Sequence, residues 1–129
     1  MARRLPIAAC LAVAAFLGGG CGSQGVQVPK DDPTHAGAVA FAEKCGACHT
    51  ITAAGTQGSA TKVTDKENVD GPNFDQRTEK KDDVLFAIAN GGFSGAIMPE
   101  NIATGREAEL IAAFLDKYSG SKKQTTAGG

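Results

Sequence analysis

An apolar stripe with the 3.6-residue period of an α-helix runs through residues 38–45. Its members lie at i, i+3, i+4 and i+7 and are Ala38, Phe41, Ala42 and Cys45. This spacing puts the four side chains on one helix face. Asp32-Pro33 supplies an N-cap and first-turn pair ahead of the stripe. The pattern predicts a first helix that starts after this pair and presents Cys45 on its buried side.

Two further helices are predicted in the second half of the chain. Residues 82–90 open with two aspartates and end at Asn90-Gly91-Gly92, a sequence typical of a helix C-terminus. Thr104 and Glu107 have the spacing of a capping box. The i, i+3, i+4, i+7 spacing then recurs in Ala108, Ile111, Ala112 and Leu115. No segment alternates as a strand would, so we predict an all-α fold of three to four helices.

The segments outside these helices divide the chain into a leader, a tether, a folded unit and a tail. Two arginines precede an apolar run that is shorter than the roughly 20 residues of a membrane span, so residues 1–20 are interpreted as an export signal peptide. Residues 21–33 have the composition of a flexible tether, and residues 120–129 that of a disordered polar tail. The folded unit is therefore predicted to span residues 34–119, with a long loop at 50–70.

Cys21 follows Leu17-Gly18-Gly19-Gly20, and this segment resembles a bacterial lipoprotein processing site. Under this interpretation Cys21 becomes the acylated first residue, and the exported protein is anchored by lipid at the outer face of the cytoplasmic membrane or in the periplasm. The alternative is an ordinary cleaved signal that removes Cys21 or leaves it as a spare thiol. We favour lipidation, because a cysteine directly follows small residues at the expected depth.

Composition and charge limit the classes of function that the chain can have. Aromatic residues make up only 5% of the chain, with no Trp, and a folded unit of about 90 residues has a marginal hydrophobic core. A covalent staple or a cofactor is therefore expected to complete the core. Thirteen basic against fourteen acidic residues give a formal net charge of -1, so no basic excess indicates a nucleic-acid partner.

The candidate chemistry lies in Cys45-Gly46-Ala47-Cys48-His49. C-x-x-C-H is the attachment signature of c-type haem, because two thiols three residues apart on one turn reach the two vinyl groups on one porphyrin edge, and the adjacent histidine then faces the iron. A zinc half-site would need further ligands from Cys21 and His35, a thioredoxin-like redox pair would need a βαβ context, and an ordinary disulfide is the third alternative. Export favours haem attachment, because c-type haem is joined to protein outside the cytoplasm.

The second axial ligand of the iron must come from Met98 or His35. Met98 lies in Gly95-Ala96-Ile97-Met98-Pro99, between two predicted helices and far enough from His49 for the chain to wrap the ring. His35 precedes Cys45 on the first helix by ten residues, which is about 15 Å at 1.5 Å per residue. We therefore favour Met98 as the ligand and interpret His35 as a solvated surface histidine.

With these motifs the chain resembles the class I monohaem cytochromes c, and the resemblance covers nearly all of residues 34–119. The cofactor implied is a single, covalently attached haem c. Gly71-Pro72-Asn73-Phe74 is similar to the family's Gly-Pro-Asn-Leu segment, with Phe in place of the usual Leu, and Met98-Pro99 is similar to its distal-ligand loop. The resemblance implies that the Pro72 carbonyl accepts a hydrogen bond from His49 Nδ1.

It also implies that Ile111 and Phe114 of the last helix pack across the first helix, with Gly37 as the point of close approach. The loop at 50–70 departs from the family and lies where its members expose the haem edge. Five lysines are candidates for a docking ring there, although we favour solvated surface positions for them; they are Lys44, Lys62, Lys66, Lys80 and Lys81.

His/Met ligation fills both axial positions of the iron, and the thioether favours the ferrous state. The expected function is that of a monomeric one-electron carrier rather than an enzyme. A quinol-oxidising cytochrome complex or a dehydrogenase is the expected donor, and a haem-copper oxidase or another cytochrome is the expected acceptor. If the Met98 ligand is labile, the alternatives are a peroxidase-like haem enzyme or a gas-sensing haem module.

Overall fold

The computed structural model describes residues 25–59, 71–93 and 97–121. The elements follow the chain in the order α1 (His35–Lys44), β1 (Thr50–Ile51), a 3₁₀ turn (Thr52–Ala54), β2 (Thr56–Gln57), α2 (Lys81–Asn90) and α3 (Gly105–Tyr118). The three helices confirm the all-α prediction. The predictions for residues 1–24, 60–70 and 122–129 lie outside the described residues.

The core forms where α1 and α2 each pack against α3. On α1 the predicted stripe is buried at Ala38, Phe41 and Cys45. On α3 it is buried throughout, and Phe114 joins it with no exposed surface. The helical period therefore identified the buried faces of both helices, because side chains on one face must meet the same neighbour.

Gly37 is the point of closest approach between α1 and α3. A Cβ at this position would lie 2.1 Å from the carbonyl oxygen of Leu110 and 2.9 Å from the Cβ of Phe114. These contacts are mostly with backbone, so the two helices could not pack at this distance with any larger residue. The close packing offsets the roughly 1 kcal/mol by which Gly weakens a helix relative to Ala.

A short antiparallel hairpin lies in the stretch predicted as a loop. Thr50 pairs with Gln57 and Ile51 with Thr56. Strands of two residues are too short to show an alternating pattern, which is why the sequence did not indicate them. The hairpin turns at Gly55, whose φ of 70° is the left-handed conformation that glycine adopts at little steric cost.

Part of the segment predicted as a flexible tether contacts the folded unit, although most of residues 25–33 are exposed. Val28 is only 4% exposed and belongs to the core. Gln27 N donates to Ala53 O at 2.9 Å. The interpretation of His35 as a solvated surface histidine is also corrected. Its imidazole is half-buried and donates from Nδ1 to Val28 O at 2.8 Å.

Asp32 is not the N-cap of α1; that position is held by Thr34. Its carboxylate instead accepts hydrogen bonds from residues at both ends of the folded unit. Oδ1 accepts from Thr34 N at 2.8 Å and Thr34 Oγ1 at 2.7 Å. Oδ2 accepts from Lys117 Nζ at 2.7 Å and Tyr118 OH at 2.8 Å. These hydrogen bonds, that of Lys117 foremost, hold the pKa of the Asp32 carboxyl well below its usual range.

Asp32→Asn is expected to lower the free energy of unfolding at pH 7, because the neutral amide loses the charge that Lys117 and Tyr118 bind. The folded-state pKa of Asp32 is depressed, so its contribution is complete above the unfolded pKa of about 3.9 and is lost as the pH falls further. Urea unfolding of both proteins should therefore show a gap that narrows below about pH 4. The control is Asp31→Asn at the exposed neighbouring position; a gap of equal size for both variants would contradict the prediction.

The predicted ends of α2 and α3 are partly corrected. Gly91 ends α2 in the left-handed conformation, as the Asn90-Gly91-Gly92 signal predicted. Thr104 is the N-cap of α3, but its side chain makes no capping hydrogen bond. Glu107 pairs with Lys44 of α1 at 3.5 Å, and the predicted capping box is not formed. Among the described residues, no helix combines the length and apolar character needed to cross a bilayer.

Candidate cofactor-binding site

The structure brings the residues predicted for the cofactor to the wall of one open pocket with a cavity volume of about 270 Å³. They are Cys45, Cys48, His49, Pro72 and Met98. Most of the remaining wall is apolar and comes from all three helices, with Phe41, Val84, Ile88, Ile111 and Leu115 among its residues. A pocket that opens into the middle of so small a core is consistent with the expectation that a cofactor completes that core.

The two thiols reach the pocket from the turn that follows α1. Cys48 N and His49 N both donate to Cys45 O, at 3.2 and 3.0 Å, so the motif folds as one tight turn. Cys45 is buried and Cys48 is partly exposed, and both are free thiols. Burial, with a smaller effect of Glu107, raises the pKa of the Cys45 thiol to about 12.

His49 is held with a defined tautomer. Its Nδ1 lies 3.0 Å from the carbonyl oxygen of Pro72, the contact implied by the sequence resemblance. A carbonyl only accepts, so Nδ1 carries the proton and Nε2 keeps its lone pair. Metal-ligating histidines are typically oriented in this way through their second ring nitrogen. Gly71 is required beside the ring, since a Cβ there would lie 2.5 Å from His49 Cε1.

The Pro72 segment is fixed to the hairpin by a set of long-range hydrogen bonds. Gly71 N donates to Cys48 O at 2.9 Å, and Phe74 N donates to Thr50 O at 2.8 Å. Asp75, which has no exposed surface, accepts from Thr52 N at 2.8 Å and Thr52 Oγ1 at 2.7 Å. Asp75 could not be predicted from the sequence, because no local pattern distinguishes a buried aspartate from a surface one.

Phe74 is a second residue of the site whose role could not be predicted from the sequence. Its ring stacks on the His49 imidazole, with centroids 4.8 Å apart and planes inclined by 17°. Phe41 packs edge-on against Phe74 at 5.9 Å and in turn touches Phe114 at 5.7 Å. The imidazole is thus the end member of an aromatic cluster that continues into the core.

Met98 reaches the pocket from a different part of the chain, the segment between α2 and α3. A Cβ on Gly91 would lie 2.7 Å from Met98 O, so the glycine that ends α2 also admits the Met98 backbone. Asn101 N donates to Ile88 O at 2.8 Å, which ties the segment to α2 a second time. Gly95, predicted to free this backbone, lies outside the described residues.

Charged side chains enter the pocket wall at only a few points. They are Lys44, Arg77, Glu79 and Asp83. Arg77 forms an ion pair with the buried Glu79 carboxylate. Outside the pocket, Lys81 is paired with Glu109 at 2.6 Å. Lys44 and Lys81 thus each form an ion pair with α3, and Lys80 is exposed. Lys62 and Lys66 lie outside the described residues.

The donor set fits a c-type haem. It combines two thiols on one turn, an imidazole whose Nε2 has its lone pair, a thioether and an apolar wall. His35, the alternative axial ligand, is not among the residues that line the pocket. Within residues 25–59, 71–93 and 97–121 no group of three or more His, Cys, Asp or Glu side chains is arranged to hold a metal ion.

Comparison with known proteins identifies a family. The sequence model of the Cytochrome c family matches residues 34–119, about two thirds of the chain. Searches of curated proteins and of solved structures found no significant match.

Proposed function

The chain belongs to the cytochrome c family, whose members carry covalently attached haem c in electron transfer, and on that premise we propose that it is a one-electron carrier with His49 and Met98 as the axial ligands. The observation that carries this proposal is the convergence of Cys45, Cys48, His49 and Met98 on one apolar pocket. When bound, the haem supplies an Fe(III)/Fe(II) couple.

Each residue of this set has its own task. Cys45 and Cys48 would hold the cofactor through thioether bonds, and His49 would offer Nε2 to the iron while Pro72 fixes the other ring nitrogen. Met98 offers its thioether sulfur, which favours the ferrous state and raises the potential. With His49 and Met98 both holding the iron, the haem would offer no open position to a substrate, and the apolar wall of the pocket would surround it.

The proposal extends to location and partners. Export by the leader 1–20 and lipidation of Cys21 would place the carrier at the outer face of the cytoplasmic membrane, where quinol-oxidising cytochrome complexes, dehydrogenases, haem-copper oxidases and other cytochromes exchange electrons. The carrier is proposed to act as a monomer in short-lived complexes, and such contacts are typically small. Its mixed, mildly acidic charge supports protein partners rather than nucleic acid.

Carbon monoxide and hydrogen peroxide distinguish the carrier from its two alternatives. Both reagents need an open or easily opened position on the iron, which His49 and Met98 together deny. We expect the reduced, haem-loaded protein to keep its absorption spectrum under carbon monoxide and to show no peroxide turnover above that of added free haem. A carbon monoxide adduct at low ligand concentration would favour a gas-sensing module, and peroxide turnover by the unaltered protein would favour an enzyme.

A further inference from the structure

We propose that Phe74 is a positioning residue for the axial imidazole, and that its stacked ring both fixes the plane of His49 and lowers the midpoint potential. The inference rests on the proposed function, since it takes His49 as a ligand of the iron. The contact between Phe74 and His49 is not part of the C-x-x-C-H motif. The motif ends at His49, and Phe74 lies 25 positions further along the chain.

The geometry distinguishes Phe74 from every other ring near His49 in the described residues. Phe74 lies parallel to the imidazole, at 4.8 Å and 17°. Phe41 is the other ring in contact, but it is 6.2 Å away and inclined by 54°, so it presents no face to the imidazole. Phe74 is itself only 8% exposed and is braced by the edge of Phe41. The stacked face is therefore held rigidly against the imidazole.

Different contacts of His49 restrict different movements of its ring. The hydrogen bond from Nδ1 to Pro72 O fixes one point of the ring but allows the plane to tilt about that bond. Gly71 leaves room for the Cε1 edge of the ring, since a Cβ at this position would come within 2.5 Å of it. The Phe74 ring covers one face of the imidazole and so sets the plane itself. Removing the aromatic face should leave the hydrogen bond intact and loosen only the tilt.

The electrostatic effect has a definite sign. The face of a phenyl ring carries the negative part of its quadrupole, and it attracts positive charge placed over it. An imidazole bound to iron shares more positive charge in the ferric than in the ferrous state. The Phe74 face therefore stabilises the oxidised form, and an aliphatic side chain at this position would not.

The side chain of Phe74 can be changed without disturbing the backbone around it. Phe74 N donates to Thr50 O at 2.8 Å, and Phe74 O accepts from Gly120 N at 2.7 Å. Both are main-chain hydrogen bonds that any residue except proline can make. The effect of the ring is thus separable from the fixing of the segment 71–75.

The test compares Phe74→Leu and Phe74→Met with Phe114→Leu in the haem-loaded full chain. Phe114 belongs to the same buried aromatic cluster through Phe41, so its variant removes an equal amount of ring from the core without touching the imidazole. We expect both Phe74 variants to raise the midpoint potential. At a fixed applied potential the ratio of reduced to oxidised protein should rise about threefold, which is about 28 mV at about 59 mV for each tenfold change in that ratio. Phe114→Leu should leave the potential unchanged.

A second readout reports the stacking directly. In the diamagnetic reduced protein, loss of the Phe74 ring current should shift the proton resonances of the His49 ring downfield in both Phe74 variants and not in Phe114→Leu. Equal potential shifts in Phe74→Leu and Phe114→Leu, or unmoved His49 resonances in the Phe74 variants, would overturn the inference. Failure of the proposed function looks different, because the wild-type protein itself would then lack the spectrum of His/Met ligation.

Discussion

Replacement of Cys45 or Cys48 by alanine is expected to reduce the yield of haem-loaded protein from an exporting host by about tenfold or more. The pocket that these thiols line occupies the centre of a core built from few large side chains. Removal of a native disulfide from a small domain costs about 2–5 kcal/mol, and a thioether link to haem ties the chain in a comparable way; about 1.4 kcal/mol already corresponds to a tenfold change in an equilibrium constant. Each variant loses one of two links, and the chain that remains exposes the apolar wall of the pocket.

The yield is measured as haem that stays with the polypeptide after denaturation, relative to the total protein exported. Ala47→Ser is the matched control, because Ala47 lies inside the same turn, is exposed, and leaves both thiols in place. It should yield as much haem-loaded protein as the unaltered chain. Normal yields from both cysteine variants would show that the thiols do not stabilise this fold through the cofactor.

Met98→Ala is expected to abolish the sulfur-to-iron charge-transfer band and to lower the midpoint potential on the order of 0.1–0.3 V, within the range of about 0.8 V that axial ligands span. The thioether favours ferrous iron, and alanine puts water or nothing in its place. The opened position should then admit carbon monoxide and peroxide. Optical redox titration and the two reagents measure all three effects on one sample.

Ile97→Ala is the control for this variant, since Ile97 is the neighbouring residue in the same segment and is 59% exposed. It shortens an apolar side chain at the pocket mouth and leaves the Met98 sulfur in place. The band and the closed iron position should survive in Ile97→Ala. A Met98→Ala protein that kept the band and the potential would exclude Met98 as the axial ligand.

The helices and the attachment motif could be predicted because both are local. The stripe on α1 and that on α3 repeat within one or two turns, and the buried faces found in the structure are the ones that this period predicts. The five residues predicted to hold the cofactor come from motifs that each span at most a few positions. The pocket that unites them follows once α1 and α2 pack on α3.

What the sequence did not indicate depends on partners far along the chain. Asp32 was interpreted as a helix cap, but it binds Lys117 and Tyr118 more than eighty positions away. Composition suggested a tether through residue 33, yet Val28 fills a site in the core. The Phe74 ring was noted only as a departure from a family pattern. Its stacking on His49 is set by the path of the hairpin, which no local period records.

The absorption spectrum of the exported full chain, oxidised and reduced and followed into the near infrared, tests the central claim most directly. We predict sharp reduced bands of low-spin haem that remain with the denatured polypeptide, together with the sulfur-to-iron band of His49/Met98 ligation in the oxidised protein. Haem bands without the sulfur band would contradict the ligation by Met98 and favour the enzyme or sensor alternatives. A protein exported with no haem, and with Cys45 and Cys48 joined as a disulfide, would contradict the account as a whole.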